Sequence, residues 1–356
     1  MAGTEGDAVA RIRELRSRLG KRIAIAAHHY QRPEIVALSD IVADSYKLAL
    51  WASHTEASYI VHCGVRFMAE SAAILAREGQ VVLVPDPVSG CPMSDMLDEP
   101  SALGAIQAIG SIRGIAPVPV IYMNSSAEIK ALAGRLGGAI CSSSNARFVL
   151  ESSFERGLPV FFGPDRNLGI NTARDMGISP DLVFTIGRDG LIRGSGDPSR
   201  GLLYLWDGFC HVHRRFSVAD VSAARARVEG VRVIVHPECD EEVVRASDLS
   251  GSTEALAAAL REGEPGSSWV VGTEANFVRR LASELPDRSI LPLRESYCFN
   301  MGRVDAFNLL ASLESVAARE RDSSAPLLHR VSVPPSTSAD AAKALDAMIA
   351  ITEKRR

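Results

Sequence analysis

The stretch RIAIAAHHYQ, residues 22–31, is an apolar run that ends abruptly in two histidines, a tyrosine and a glutamine. The same layout returns at VPVIYMNSSAE (118–128) and at VRVIVHPEC (231–239). Each reads as a buried strand whose carboxyl end carries polar, reactive side chains. Between them, apolar runs alternate with helix-periodic segments, which describes α/β architecture with parallel strands. A second run follows each copy, at YIVHCGVRFMAES (59–71), GAICSSSNARFVLE (138–151) and ASDLSGSTEALAAAL (246–260). A third follows at QVVLVPDP (80–87), LPVFFGPDRNLG (158–169) and SSWVVGTEANFVRRL (267–281). Three repeated α/β units are therefore expected. Ligands of open α/β sheets bind beyond the carboxyl ends of the strands, so the polar ends of all three units are candidates for one site.

The 356 residues exceed what one hydrophobic core organises, which agrees with several units. The boundaries predicted are a helix over 1–19, units over 20–105, 106–200 and 201–297, and a helical segment over 298–356 returning to the first unit. Ala10, Ile12, Leu15 and Leu19 give the first helix its apolar stripe, and Ser338 is the expected cap of the last. Residues 170–200, rich in Gly, Arg and Asp, read as a long loop or lid. With a net charge of −4 and no basic stripe, nucleic acid is a poor partner. No run approaches a membrane span and the N-terminus lacks a secretory pattern, so a cytoplasmic protein is expected.

Six cysteines without paired short spacings do not form a disulfide framework. Cys63, Cys141 and Cys239 lie at strand ends and read as buried structural thiols. Cys91, Cys210 and Cys298 lie in loops after strand-like runs, one per unit. WDGFCHVH (206–213) pairs Cys210 with His213, but a structural zinc site needs a second such pair, and no CxxC occurs. Three distant thiolates suit an iron–sulfur cluster, and three ligands would leave one of four irons open for Lewis-acid work.

The ordered series AHHYQRPEI, CGVRFMAES, GCPMSDM, YMNSSAE, CSSSNA, PDRNLG, WDGFCHVH, HPEC, GST, VGTE and CFNM resembles the quinolinate synthase family across roughly residues 20 to 350. The resemblance implies three related three-layer αβα domains, arranged with pseudo-threefold symmetry around a central [4Fe–4S] cluster. It implies condensation of iminoaspartate (iminosuccinate) with dihydroxyacetone phosphate to quinolinate, phosphate and water, in de novo NAD biosynthesis. Iminoaspartate further implies functional coupling to an aspartate-oxidising enzyme. By position, Cys91, Cys210 and Cys298 match the cluster ligands, leaving one open iron. Glu238, Tyr30 and His213 match catalytic positions. His28, Ser45, Tyr122, Asn124, Ser143, His236, Glu238 and Thr253 match substrate-binding positions.

The chain departs from the family pattern at Ala43, Arg66 and Gly302, all beside expected site residues, and His29 reads as a surface-loop substitution. A general base beside a carbonyl carbon is required, and Glu238 next to His236 is the best candidate, with burial expected to raise its pKa toward neutrality. Taken singly, His28 and His236 are equally well interior histidines. Two other classes stay open on the residues alone: a zinc or mononuclear-iron hydrolase or lyase built on His28, His213, His236 and Glu238, and a non-catalytic iron–sulfur sensor.

Overall fold

The computed structural model describes residues 3–355; Met1, Ala2 and Arg356, at the outer ends of the two predicted terminal segments, lie outside the described residues. It divides into two compact units, one formed by residues 1–91 with 297–333 and the other by residues 92–296 with 334–356.

The first unit opens with α1 (Glu5–Leu19), started by a Thr4–Asp7 capping box. Its buried face is Ala8, Ile12, Leu15 and Leu19, so Ala8 takes the place predicted for Ala10, which is exposed. There follow β1 (Ile23–His28), α2 (Pro33–Val36), β2 (Ile41–Ala43), α3 (Ser45–His54), β3 (Tyr59–Cys63), α4 (Arg66–Leu75) and β4 (Val81–Leu83). The strands pair in the order β2-β1-β3-β4, all parallel.

The second unit carries two sheets. The first is built from α5 (Glu99–Arg113), β5 (Val118–Tyr122), α6 (Ala127–Arg135), β6 (Ala139–Cys141), α7 (Ala146–Phe154), β7 (Val160–Gly163), α8 (Arg166–Asp175), β8 (Val183–Ile186), β9 (Ile192–Arg193) and β10 (Leu203–Trp206). Its order is β6-β5-β7-β10-β8-β9. The other comprises α9 (Val218–Arg227), β11 (Arg232–Val235), α10 (Glu241–Ala246), β12 (Leu249–Ser250), α11 (Thr253–Glu262), β13 (Ser268–Gly272), α12 (Ala275–Glu284) and β14 (Ser289–Pro292), in the order β12-β11-β13-β14. The final helices are α13 (Ala306–Arg319) and α14 (Pro335–Lys354). No described helix is long and apolar enough to cross a membrane.

The three parallel-dominated sheets thus share the order second-first-third, with β4, β10 and β14 next across the sheet; in the middle sheet β8 and β9 continue beyond β10. That order corrects the alignment of the repeats. The edge strand of the first sheet is β2, so IVADS (41–45), not YIVHC, corresponds to AICSS and LSGST. Asp40 and Asp44 bracket the three residues of β2, so it does not register as an apolar run in the sequence layout.

Two further expectations are corrected. Residues 170–200 are not a long loop: they finish α8 and then supply β8 and β9, which widen the middle sheet to six strands. The four apolar-alternating residues of β8 are flanked by charged turns that mask them. Nor does all of 298–356 return to the first unit. Helix α13 does, packing on α1 through a core that includes Ile12, Leu15, Leu309, Leu313 and Val316. Helix α14 packs instead on α6 and β6 and starts at Pro335 rather than after Ser338. Proline at a first helical position loses no hydrogen bond, so the helix extends back to it.

Candidate functional site

The repeat places the sequence-predicted residues at three recurring points, except His213, which opens the 3-10 turn after Cys210. At the end of the first strand of each sheet or just past it come His28 and Tyr30, then Tyr122 and Asn124, then His236 and Glu238. After the second strand come Ser45, Ser143 and Thr253, each at or just before the start of a helix. After β4, β10 and β14, each fourth across its sheet, come Cys91, Cys210 and Cys298. Each cysteine lies three residues ahead of a 3-10 turn, at Ser94–Met96, His213–Arg215 and Met301–Arg303, and eight ahead of a helix, at Glu99, Val218 and Ala306. The three cysteines are therefore equivalent by structure.

Their loops are also held alike. The first N–H of the helix after each third strand donates to the carbonyl two residues before the cysteine: Arg66 to Ser89 at 2.8 Å, Arg166 to Gly208 at 2.9 Å and Ala275 to Ser296 at 2.8 Å. All three cysteines are half-buried, whereas Cys63, Cys141 and Cys239 are buried, and burial pushes those three thiols up, away from ionisation.

In the first unit the loops of two of these cysteines are joined, since Ser89 donates its hydroxyl to the Asn300 carbonyl at 2.6 Å and Arg303 pairs with Asp86 at 2.8 Å. In the same unit His28 and Tyr30 meet edge to face, with ring centroids 4.6 Å apart. Tyr30 N–H donates to His28 Nδ1 at 3.2 Å, which assigns the ring proton to Nε2. The residues that depart from the family pattern take these places. Arg66 bonds Glu70 at 2.8 Å and its side chain is exposed. Gly302 serves through its carbonyl, which accepts from Arg32, and has open space where a side chain would stand. Ala43 ends β2 and is buried. His29 is buried, not a surface residue, because the turn after β1 folds inward.

The second unit holds a continuous hydrogen-bonded chain. The Tyr122 hydroxyl donates to Glu238 Oε1 at 2.6 Å, and Glu238 Oε2 lies 2.7 Å from His213 Nδ1. His213 Nε2 lies 3.1 Å from the Thr273 hydroxyl. His236 stacks on His213 with centroids 4.5 Å apart, and its Nδ1 accepts from Glu238 N–H at 3.3 Å. As at His28, this fixes the proton on Nε2. All five residues are buried. Cys210 joins them: its sulfur, a His213 ring nitrogen and a Glu238 oxygen lie within 4.8 Å of one another.

The electrostatics differ from the sequence expectation for Glu238. Burial raises its carboxyl, but His236, His213 and the Tyr122 hydroxyl outweigh this and bring it down to about 2. Glu238 is therefore ionised, not poised near neutrality. Burial, then the neighbouring His213, lowers His236 to about 3, so its imidazole is neutral.

Asn124 stands in the loop after β5 with its Oδ1 buried and no protein partner among the described residues. Thr253 is buried at the first position of α11, and Ser143 is half-buried in the turn before α7. Residue-by-residue reasoning missed Thr273, Asp165, Asn167 and Asn171, although VGTE and PDRNLG contain three of them.

Such a constellation defines an α/β enzyme with an acid–base relay and an adjoining thiol at the carboxyl ends of parallel strands. The family model described as quinolinate synthetase A protein matches residues 10–350. A quinolinate synthase of Streptomyces coelicolor is 43% identical, covering 98% of this chain and 89% of its own. Those of Geobacillus kaustophilus and Bacillus subtilis are 40% and 39% identical, covering 96% and 97% of this chain and 93% and 94% of their own. The chain belongs to the quinolinate synthase family, whose members are enzymes of NAD biosynthesis.

Proposed function

We propose that this enzyme condenses iminoaspartate with dihydroxyacetone phosphate to form quinolinate, releasing phosphate and water, with a [4Fe–4S] cluster bound by Cys91, Cys210 and Cys298. The observation that carries the reading is the buried Tyr122–Glu238–His213–Thr273 chain beside Cys210 in a chain of this family. The equivalent placement of the three cysteines supports them as the ligand set. Thiolates are the normal ligands of such clusters, and the donor set fits. When bound, the cluster would supply a Lewis-acidic iron with an open position.

The chain's own residues divide the remaining work. His28 and His236, each with its proton on Nε2, offer neutral N–H donors to substrate carboxylate or carbonyl oxygens. Ser45, Ser143 and Thr253 bring hydroxyls to the starts of three helices, where backbone N–H groups and the helix dipole favour carboxylate or phosphate. Tyr122 and Asn124 offer a hydroxyl and an amide, and Tyr30 a hydroxyl on the ring that meets His28. Glu238, ionised and bracketed by Tyr122 and His213, takes the proton from carbon next to the substrate carbonyl. His213, its other nitrogen on Thr273, stabilises that carboxylate before transfer and relays the proton afterwards. A cytoplasmic location and supply of iminoaspartate by an aspartate-oxidising enzyme go with this reading.

One observation favours a second reading. Cys210, His213 and Glu238 also have the composition of a three-ligand site for a single zinc or iron ion. Anaerobic reconstitution separates the two. The cluster reading expects four irons and matching sulfide per chain, visible charge-transfer absorption, and quinolinate from both substrates. One equivalent of zinc, colourless protein and no quinolinate would replace it. Glu238→Gln keeps the shape of the carboxylate without its basicity. It should retain the iron and lose about 10²–10⁴-fold in turnover.

A further inference from the structure

We infer that α8 is a single positioning element for two parts of the site: its N-cap Asp165 sets the Cys210 loop, while Asn167 and Asn171 set the loop bearing Glu238. The inference rests on the reading of Cys210 as a cluster ligand and Glu238 as the base.

The three side chains are buried to 0%, 2% and 1% exposure. Asp165 Oδ1 accepts from Leu168 N–H at 2.7 Å, which caps α8, and the same carboxyl faces the backbone N–H of Cys210, which favours its ionised form. Asp165 also forms a β-bridge with Gly208, and the next residue, Arg166, donates to the Gly208 carbonyl and pairs with Asp207 at 3.1 Å. The chain from 207 to 210 is thereby strung along the start of the helix.

Asn167 Nδ2 donates to the Glu238 carbonyl at 3.2 Å and to Asp240 Oδ1 at 2.9 Å. One turn on, Asn171 Nδ2 donates to the carbonyls of Pro237 at 2.8 Å and Cys239 at 2.9 Å. The backbone is thus gripped at Glu238 and at both its neighbours. Gly169 lets the helix lie close on the sheet, since a Cβ there would stand 2.3 Å from Leu205 Cδ2.

The other repeats show that capping alone does not demand this arrangement. The position equivalent to Asp165 is Val65 in the first repeat, which caps nothing, and Glu274 in the third, which caps α12 through Asn276 and Phe277 N–H. Asp165 additionally keeps Oδ2 fully buried without a partner among the described residues. A buried carboxyl with an unused oxygen is costly where helix capping is its only service. Its place against the backbone of 208–210 supplies the further service.

Full-length protein, reconstituted anaerobically, tests this with three variants. Asp165→Asn retains the oxygen that accepts from Leu168 and keeps a side chain of the same reach toward Cys210 N–H, and should hold near-normal iron. Asp165→Ser still caps the helix but is too short to reach Cys210, and should lose iron to a chelator at least about tenfold faster. Asn171→Asp has the same shape without the two donors. It should keep its iron, lose about 10–100-fold in kcat with little change in KM, and move the acid limb of the pH profile. Wild-type protein without cluster or quinolinate formation would overturn the functional reading itself. With both present in the wild type, unchanged chelator kinetics in Asp165→Ser, or an unchanged kcat and pH profile in Asn171→Asp, overturns the positioning role.

Discussion

The hydroxyl of Tyr122 donates to Oε1 of Glu238 at 2.6 Å, so the first-strand ends of two successive repeats meet in one hydrogen bond. The bond favours the ionised carboxylate, and hydrogen bonds to charged groups contribute about 1.5–3 kcal/mol. Removing it in Tyr122→Phe raises the Glu238 pKa, because one of the groups holding it down is gone. The sign follows: less of the enzyme carries the base at acid pH, so the acid limb of kcat/KM moves toward neutrality. We expect kcat to fall about 10–100-fold with iron content unchanged. An unaltered pH profile would show that Tyr122 meets the substrate without tuning Glu238.

The cysteines separate into two sets by burial and position. Cys91→Ser, Cys210→Ser and Cys298→Ser should each abolish or strongly deplete iron after reconstitution, since each removes one of three thiolates. Cys63→Ala, Cys141→Ala and Cys239→Ala should retain it, at a stability cost of about 1–2 kcal/mol for the cavity left in a packed interior. Iron and sulfide analysis of the six variants decides this. Full iron in any of the first three would remove that residue from the ligand set.

Much of this was legible because parallel strands write themselves as apolar runs with reactive ends. The first and third strands of each repeat, all three loop cysteines and the loops bearing Tyr122, His236 and Glu238 were readable that way. Strands β2 and β8 were not: Asp40 and Asp44 bracket the first, and Asp181 with Arg188 and Asp189 bracket the second, so neither stands out as an apolar run. The state of Glu238 was not legible either. Burial and hydrogen bonding push a carboxyl in opposite directions, and only coordinates show that Tyr122 and His213 both reach it. The grip of Asn167 and Asn171 on 237–240 has no sequence signal beyond two asparagines a helical turn apart.

The packing of α14 on α6 depends on one glycine. A Cβ at Gly134 would lie 1.8 Å from the Asp340 carbonyl oxygen and 2.9 Å from its carbon, both backbone atoms with no side-chain freedom to yield. Gly134→Ala would ordinarily favour a helix by about 1 kcal/mol. Here the clash forces the helices apart, with an expected net loss of about 2–4 kcal/mol. Thermal denaturation measures it. A raised midpoint would mean that α14 does not rest against α6 at this distance.

His62 gives the first unit a proton-linked weakness. It lies in β3 at 1% exposure, and neither ring nitrogen has a partner among the described residues. Burial lowers its pKa from 6.5 to about 4. The folded state therefore keeps the ring neutral while the unfolded chain takes up a proton as pH falls through 6.5. Stability is fully retained above 6.5 and declines down to about pH 4, where the folded protein also protonates. At about 1.4 kcal/mol per pH unit this amounts to roughly 3 kcal/mol over the window. His62→Leu removes the linkage and also relieves two buried nitrogens that have lost water without gaining a bond, an unfavourable burial of about 1–3 kcal/mol each. The variant should thus melt higher than wild type at pH 7.5, and the gap should widen at pH 5, where the wild type has lost part of its stability. His236, lowered to about 3 by burial and His213, adds an acid dependence of the same sign in the second unit, and His62→Leu leaves that part untouched. Paired melting curves at the two pH values check both parts. A gap that stays constant or narrows on acidification would mean that His62 is protonated in the folded protein and has found a partner there.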